Sequence, residues 1–220
     1  MIDKKSNITE LILKYPLMYR IYQRSVRSKY SEYDFIEYIF SKLENKKIRI
    51  LDLCCGDSYV LNFINAHIDD YLGVDYSEKY LNFSQKKWKN FKFLKLDLNQ
   101  KESIKEFKNF QPNFIFVNGA IHHLDDGSVS RINNFVAEFE KSLFLSVDPI
   151  SDNNKILNKL MIMFDRGKYI RTRKEYENLM TNYNNFIIDD FYKMSFKNVF
   201  HYKNFDLVKL YYNWKTSLKI

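Results

Sequence analysis

Between residues 48 and 149 the chain repeats one pattern: a short apolar run with an acid or amide near its end, then a stretch with helical spacing. The runs are "IRILDL" (48–53), "YLGVD" (71–75), "FKFLKLD" (91–97), "FIFVNG" (114–119) and "LFLSVDP" (143–149). Helical spacing fills the gaps around 58–66, 77–87 and 129–141. Strands that alternate with helices pair in parallel, and the helices cover both faces of the sheet. The pattern therefore predicts an α/β fold on a mostly parallel sheet. It stops near the C-terminus. "FIIDDFYKM" (186–194) and "FDLVKLYYNW" (205–214) are separated by too little chain for a crossover helix, so they are expected to form an antiparallel hairpin at a sheet edge.

Ahead of the first strand, residues 7–45 read as helical. Asn7 with Glu10 forms one start signal, Pro16 opens a second segment, and Ser31 with Asp34 forms another cap. Phe35, Ile36, Ile39, Phe40 and Leu43 then make an apolar stripe, and "ENKK" (44–47) is a polar hinge. The expected organisation is an N-terminal helical cap (1–45) and one α/β domain (46–220). Residues 150–184 form a polar, partly helical insertion or lid within it.

Composition narrows the function classes. The chain has 220 residues, enough for one domain with a sizeable core. Its 17 Tyr and 19 Phe exclude a disordered chain. The net charge of +8 suggests an anionic partner, but no block of five or more like charges occurs, so lysine-rich background is the simpler reading. The two cysteines, Cys54 and Cys55, are adjacent, which gives neither a disulfide framework nor a metal pattern and fits a reducing cytoplasm. The N-terminus lacks the long apolar core of a signal peptide, and no apolar run is long enough to span a bilayer.

In an open parallel sheet, ligands bind beyond the carboxyl ends of the strands, where strand order reverses. The first such end, "RILDLCCGDSYVL" (49–61), is a nucleotide-type loop with a single glycine, Gly56; Cys54 and Ser58 stand where others are usual. A pyrophosphate needs those glycines for close backbone approach. A cofactor without phosphates needs them less. Asp52 beside a cationic tail is sensible, whereas beside a pyrophosphate it is unfavourable. Asp75 follows Gly56 by nineteen residues, the distance at which an acid accepts ribose hydroxyls. Asp97 ends the next strand, where a carboxylate can accept the amine of adenine.

These motifs, in their order, resemble the class I S-adenosylmethionine-dependent methyltransferases, across roughly residues 15–212. The first motif of that family is close to L-D-L-G-C-G-T-G, against "LDLCCGDS" here. The resemblance implies a Rossmann-like seven-stranded sheet with an antiparallel last strand and S-adenosylmethionine as cofactor. The cofactor contacts it implies are Asp52, Cys54, Gly56, Asp75, Tyr76, Asp97, Leu98, Asn118 and Gly119. "YPLMYRIYQ", "GAIHHLDD" and "FDRGKYIRTRKEY" are further similar to bacterial methyltransferases associated with surface-polysaccharide (O-antigen-type) biosynthesis, which implies a sugar or glycolipid acceptor.

His122 and His123 follow the fourth strand, where a histidine can take the proton of an acceptor hydroxyl; the alternative is a helix-entry pair packing under the cofactor. Asp165, Arg166, Tyr169, Arg171 and Arg173 lie in the insertion, and Tyr19 lies in the N-terminal segment. They are candidate acceptor contacts, or else a self-paired lid and helix packing. No acidic/His cluster has ligand spacing, so no metal is expected. The leading expectation is O-methylation of a saccharide or related metabolite. Two alternatives stand beside it: a nucleic-acid methyltransferase and a binding protein on a decayed methyltransferase fold. Against the former, "NGAI" (118–121) follows strand four, not an Asn/Asp-Pro-Pro-aromatic or Pro-Cys motif.

Overall fold

In a computed structural model the strands assemble into one seven-stranded sheet of order β3-β2-β1-β4-β5-β7-β6. The described residues are 29–43, 47–98, 107, 109–151, 168–191 and 197–218. The strands are β1 (Arg49–Leu53), β2 (Asp70–Asp75), β3 (Lys92–Lys95), β4 (Phe114–Asn118), β5 (Leu143–Pro149), β6 (Asn184–Ile188) and β7 (Asn198–Lys203). The first five pair in parallel; β7 runs antiparallel to both β5 and β6. The chain passes from β3 back to the other side of β1, so the order reverses between β1 and β4. That reversal opens the crevice in which ligands of such sheets bind.

The helices are α1 (Glu32–Ser41), α2 (Leu61–Ile64), α3 (Glu78–Lys87), α4 (Asp126–Ala137), α5 (Arg173–Leu179) and α6 (Leu207–Ser217). Their starts are chemically specified. The backbone N–H and hydroxyl of Ser31 both donate to Asp34 Oδ2 (2.6 and 2.8 Å). Thr172 and Glu175 form a reciprocal box at α5, and Asp125 Oδ1 accepts from Ser128 N (2.7 Å) at α4.

Period-two alternation sends the strands' side chains into two unlike layers. Ile50, Phe114, Phe116, Leu145 and Phe200 face a cluster with Phe35, Ile36 and Phe40 of α1 and Trp214 of α6. Leu51, Leu53, Ile115, Val117 and Phe144 face a more aliphatic cluster with Val129, Ile132 and Phe135 of α4 and Tyr176 of α5. Phe35 is the hub of the first layer, within 5.2–6.1 Å ring-to-ring of Phe191, Phe200, Tyr211 and Trp214. Residues 31–41 thus belong to the same core as the sheet.

One expected strand is a helix. Residues 207–217, which take in most of "FDLVKLYYNW" (205–214), form α6, and the hairpin partner of β6 is "NVFHYK" (198–203). Asp206 decides it: its carboxylate accepts from Lys209 N (2.9 Å), and Leu207, Leu210, Tyr211 and Trp214 then fall on one helical face against the aromatic layer. The Asn7, Pro16 and early helical signals lie outside the described residues.

Candidate active site

The loop after β1 keeps a glycine-type backbone without the glycines. Cys54, Gly56 and Ser58 have φ of +59°, +54° and +51°. Left-handed backbone at alternate positions is where glycine would relieve strain. Cys55 N donates to Val74 O (2.9 Å) and Ser58 N to Cys55 O (2.8 Å), which pins the turn to β2. Gly73 is needed beside it: a Cβ there would meet Phe93 at 2.8 Å and Cys55 Sγ at 2.9 Å. Gly56 and Gly119 face open space instead, with no atom within 4 Å of an added Cβ.

Carboxylates surround this turn. Burial pushes the Cys54 thiol well up, and the charges of Asp75, Asp52, Asp148 and Asp97 push it further. A thiol so placed stays protonated and is no nucleophile. Asp52 is 2% exposed and accepts the phenol proton of Tyr71 at 2.5 Å. Burial raises its carboxyl to about 7, Tyr71 opposes the shift, and Asp75 adds to it. Asp75 accepts from Gly56 N (2.9 Å) and Ser77 N (2.8 Å), tying the β1 loop to the start of α3.

The remaining expected cofactor contacts differ in what they present. Tyr76 is 71% exposed. Leu98 is buried in the aliphatic layer with its side chain turned away from solvent, and Asp97 is half-buried. Asn118 Nδ2 donates to the hydroxyl of Tyr33 (3.2 Å). Tyr33 stacks on Phe63 (5.0 Å) and meets Tyr59 edge-on (5.2 Å), so α1 reaches the same end of the sheet.

His122 and His123 occupy a 3-10 turn after β4 (Ile121–His123), their rings 4.1 Å apart. Their surroundings separate them. His123 is exposed, whereas His122 is buried with its Nδ1 2.8 Å from Asp148 Oδ1. The same oxygen accepts the His122 backbone N–H (3.2 Å), and Tyr169 N donates to His122 O (2.9 Å).

The guanidinium of Arg171, expected to meet an acceptor molecule, makes hydrogen bonds inside the protein. Nη1 donates to the carbonyls of Ile121 (3.2 Å) and Tyr169 (3.1 Å), and Nη2 to Leu124 O (2.8 Å) and Asp126 Oδ1 (2.6 Å). A planar fork of donors suits the stray carbonyls of a tight turn, and this one clips residues 169–171 onto the histidine turn. Arg173 pairs with Glu177 on α5 (2.7 Å). Tyr169 is 41% exposed beside the turn. Tyr19, Asp165 and Arg166, with Tyr15, Tyr22 and Gln23, lie outside the described residues. Sequence reasoning missed Tyr33 and Tyr71, because each matters through a partner distant in sequence; it places Asp148 at a strand end, where ligands bind, but gives it no partner. Among the described residues, no cluster of three or more His, Cys, Asp or Glu could hold a metal ion, and no helix is long and apolar enough to cross a membrane.

Comparison with known proteins agrees with this geometry. Residues 50–142 match the family model of a methyltransferase domain. No curated protein sequence matches the chain significantly. The chain is similar to the CMeT domain of the citrinin polyketide synthase (12% identity, TM-score 0.64, covering 89% of this chain and 59% of that one). It is also similar to DhpI in a complex with SAM and HEP (14% identity, TM-score 0.59, 90% and 96% covered). A third similar structure is magnesium protoporphyrin IX methyltransferase from Synechocystis PCC 6803 with bound SAH (12% identity, TM-score 0.55, 78% and 82% covered). At these identities the likeness to solved structures is one of fold. The methyltransferase-domain match over residues 50–142, the sheet order and the acids at the strand ends together support an S-adenosylmethionine-dependent methyltransferase.

Proposed function

We propose that the chain transfers a methyl group from S-adenosylmethionine to a hydroxyl of a small-molecule acceptor, a saccharide or related metabolite. The observation that carries the cofactor half is the pair of acids at neighbouring strand ends, Asp52 buried at the end of β1 and Asp75 at the end of β2, the latter held on the N–H of Gly56 in the turn. Such a pair repels a diphosphate and favours a ligand bearing sulfonium and ammonium charges. Asp52, with its carboxyl near 7 and a neutral phenol as partner, gains by ionising against a cation.

The residues fit the cofactor. Both Asp75 oxygens hold one backbone N–H each, and each keeps lone-pair capacity for a ribose hydroxyl. The exposed ring of Tyr76 offers a face to adenine, and Asp97 accepts its amine. Gly56 and Gly119 present backbone to open space, with the Leu98 and Asn118 main chain beside them. Cys54 contributes a small uncharged wall.

Bound there, the cofactor supplies a methyl group activated by a positive sulfur. The chain's residues then align the acceptor, exclude water and remove one proton. His122 takes that proton: the Nδ1–H donated to Asp148 leaves the ring's lone pair on Nε2. Tyr169 lies one hydrogen bond from His122 and contacts the acceptor, together with Tyr19, Asp165 and Arg166. The acceptor class rests on the resemblance of "GAIHHLDD" and "FDRGKYIRTRKEY" to methyltransferases of surface-polysaccharide synthesis.

The test is methyl transfer from labelled S-adenosylmethionine to a panel of free sugars, nucleotide sugars, glycolipids and RNA, beside calorimetry with S-adenosylhomocysteine. Transfer to a sugar hydroxyl supports the proposal. Transfer to RNA alone, with affinity falling steeply with salt, overturns the acceptor. Failure to bind S-adenosylhomocysteine at millimolar concentration overturns the cofactor site and favours a non-catalytic binding protein.

A further inference from the structure

We infer that Asp148 is a positioning residue that selects the proton-accepting tautomer and orientation of His122. This rests on the proposed role of His122 as base. Asp148 is the penultimate residue of β5 and has no exposed surface. One of its oxygens, Oδ1, accepts twice from a single residue: from Nδ1 of the His122 ring at 2.8 Å and from its backbone N–H at 3.2 Å.

That double contact does two things. It fixes the ring relative to its own backbone, so the imidazole cannot rotate away without breaking a buried bond. It also requires Nδ1 to carry hydrogen, because a carboxylate only accepts. The basic lone pair is then confined to Nε2. A neutral imidazole in water divides between two tautomers, and the wrong one presents an N–H to the acceptor hydroxyl where a lone pair is needed. When the ring gains its second proton, the carboxylate 2.8 Å away balances the charge within the buried site.

The backbone around the ring is restrained to match. Tyr169 N holds His122 O, and Arg171 holds the carbonyls on either side of the pair, at Ile121 and Leu124. His123, one residue on, has an exposed ring where that of His122 is buried, so the inference separates the two histidines that sequence alone leaves equivalent.

The experiment uses the full chain with nitrogen-15 in its histidines. In the unmodified protein above pH 8 the His122 resonances should show hydrogen on Nδ1 and a bare Nε2. A Nε2–H tautomer there overturns the inference without any variant. In Asp148→Ala, which removes the acceptor, a mixture of tautomers is expected, with kcat reduced about 10- to 100-fold on the best acceptor of the panel. The dissociation constant for S-adenosylhomocysteine should stay within about twofold, which separates loss of positioning from loss of the cofactor site. Unchanged tautomer and kcat in Asp148→Ala overturn the inference while His122 stands as base. Wild-type turnover in His122→Ala overturns the base role itself, and with it any catalytic use of Asp148.

Discussion

Asp52 and Asp148 occupy matching places, each the penultimate residue of its strand, each buried, each held by one aromatic donor. They differ in the donor. Asp52 has the phenol of Tyr71, a group that burial and the neighbouring carboxylate push well above its usual range and that therefore stays neutral. Asp148 has the imidazole of His122, which can become a cation. A carboxylate beside a phenol must find its counter-charge outside the protein. A carboxylate beside an imidazole can complete its charge within the fold. Under the proposed function, one strand-end position thus serves as a receptor for a cationic ligand in one half of the sheet and as part of a self-contained proton acceptor in the other.

The sharpest way to break the comparison is His122→Ala. It should lower kcat by about 10²- to 10⁴-fold, the range for a lost general base, with cofactor affinity retained in calorimetry. Asp52→Asn should act the other way round, weakening S-adenosylmethionine binding roughly 10- to 100-fold through loss of a charge-assisted contact. Its pH signature is specific. The free protein ionises Asp52 only near 7, so the affinity ratio of wild type to variant should grow as pH rises from 6 to 8. A ratio constant with pH would mean that Asp52 does not face the cation.

Stability offers a third comparison. The Asp52 carboxyl keeps its proton to about 7 in the folded chain, against 3.8 when unperturbed. The folded state therefore binds the extra proton between those values, and the free protein should lose stability as pH rises through that window, by at most on the order of 4 kcal/mol. Asp148, also raised by burial, adds in the same direction. Urea unfolding across pH should show the decline, and Asp52→Asn should flatten its share. Tyr71→Phe removes the one donor the structure gives Asp52 and should cost about 1–3 kcal/mol in the same assay. The smallest effect belongs to His123→Ala: an exposed ring outside the Asp148 contact should leave kcat within about threefold of wild type.

Much of the fold was legible because strands advertise themselves twice, by apolar alternation and by the polar residue at the end. Asp52, Asp75 and Asn118 were found that way, and each stands at or next to the carboxyl end of its strand. The C-terminal segment was misread because Leu207, Val208, Leu210 and Tyr211 satisfy both strand and helix spacing over a short window. Asp206 carried the deciding signal as a helix cap. β7 escaped notice because His201 and Asn198, both buried, interrupt its apolar pattern. Arg171 could not be placed, since a guanidinium is equally suited to an acceptor molecule and to its own turn. Asp148 needed the fold itself: its partner is 26 residues away, and only strand pairing brings them together.

The division of the core into an aromatic and an aliphatic layer has a spectroscopic consequence. The chain's two tryptophans, Trp88 and Trp214, both pack on the aromatic side, and Trp214 sits among Tyr30, Phe35, Phe191 and Tyr211. Intrinsic emission excited at the indole band therefore listens to one hemisphere of the molecule. Loosening of the α4 and α5 layer would pass unseen until the sheet itself gave way, so a denaturation curve recorded by fluorescence and one recorded by amide exchange should part company first on the dark side.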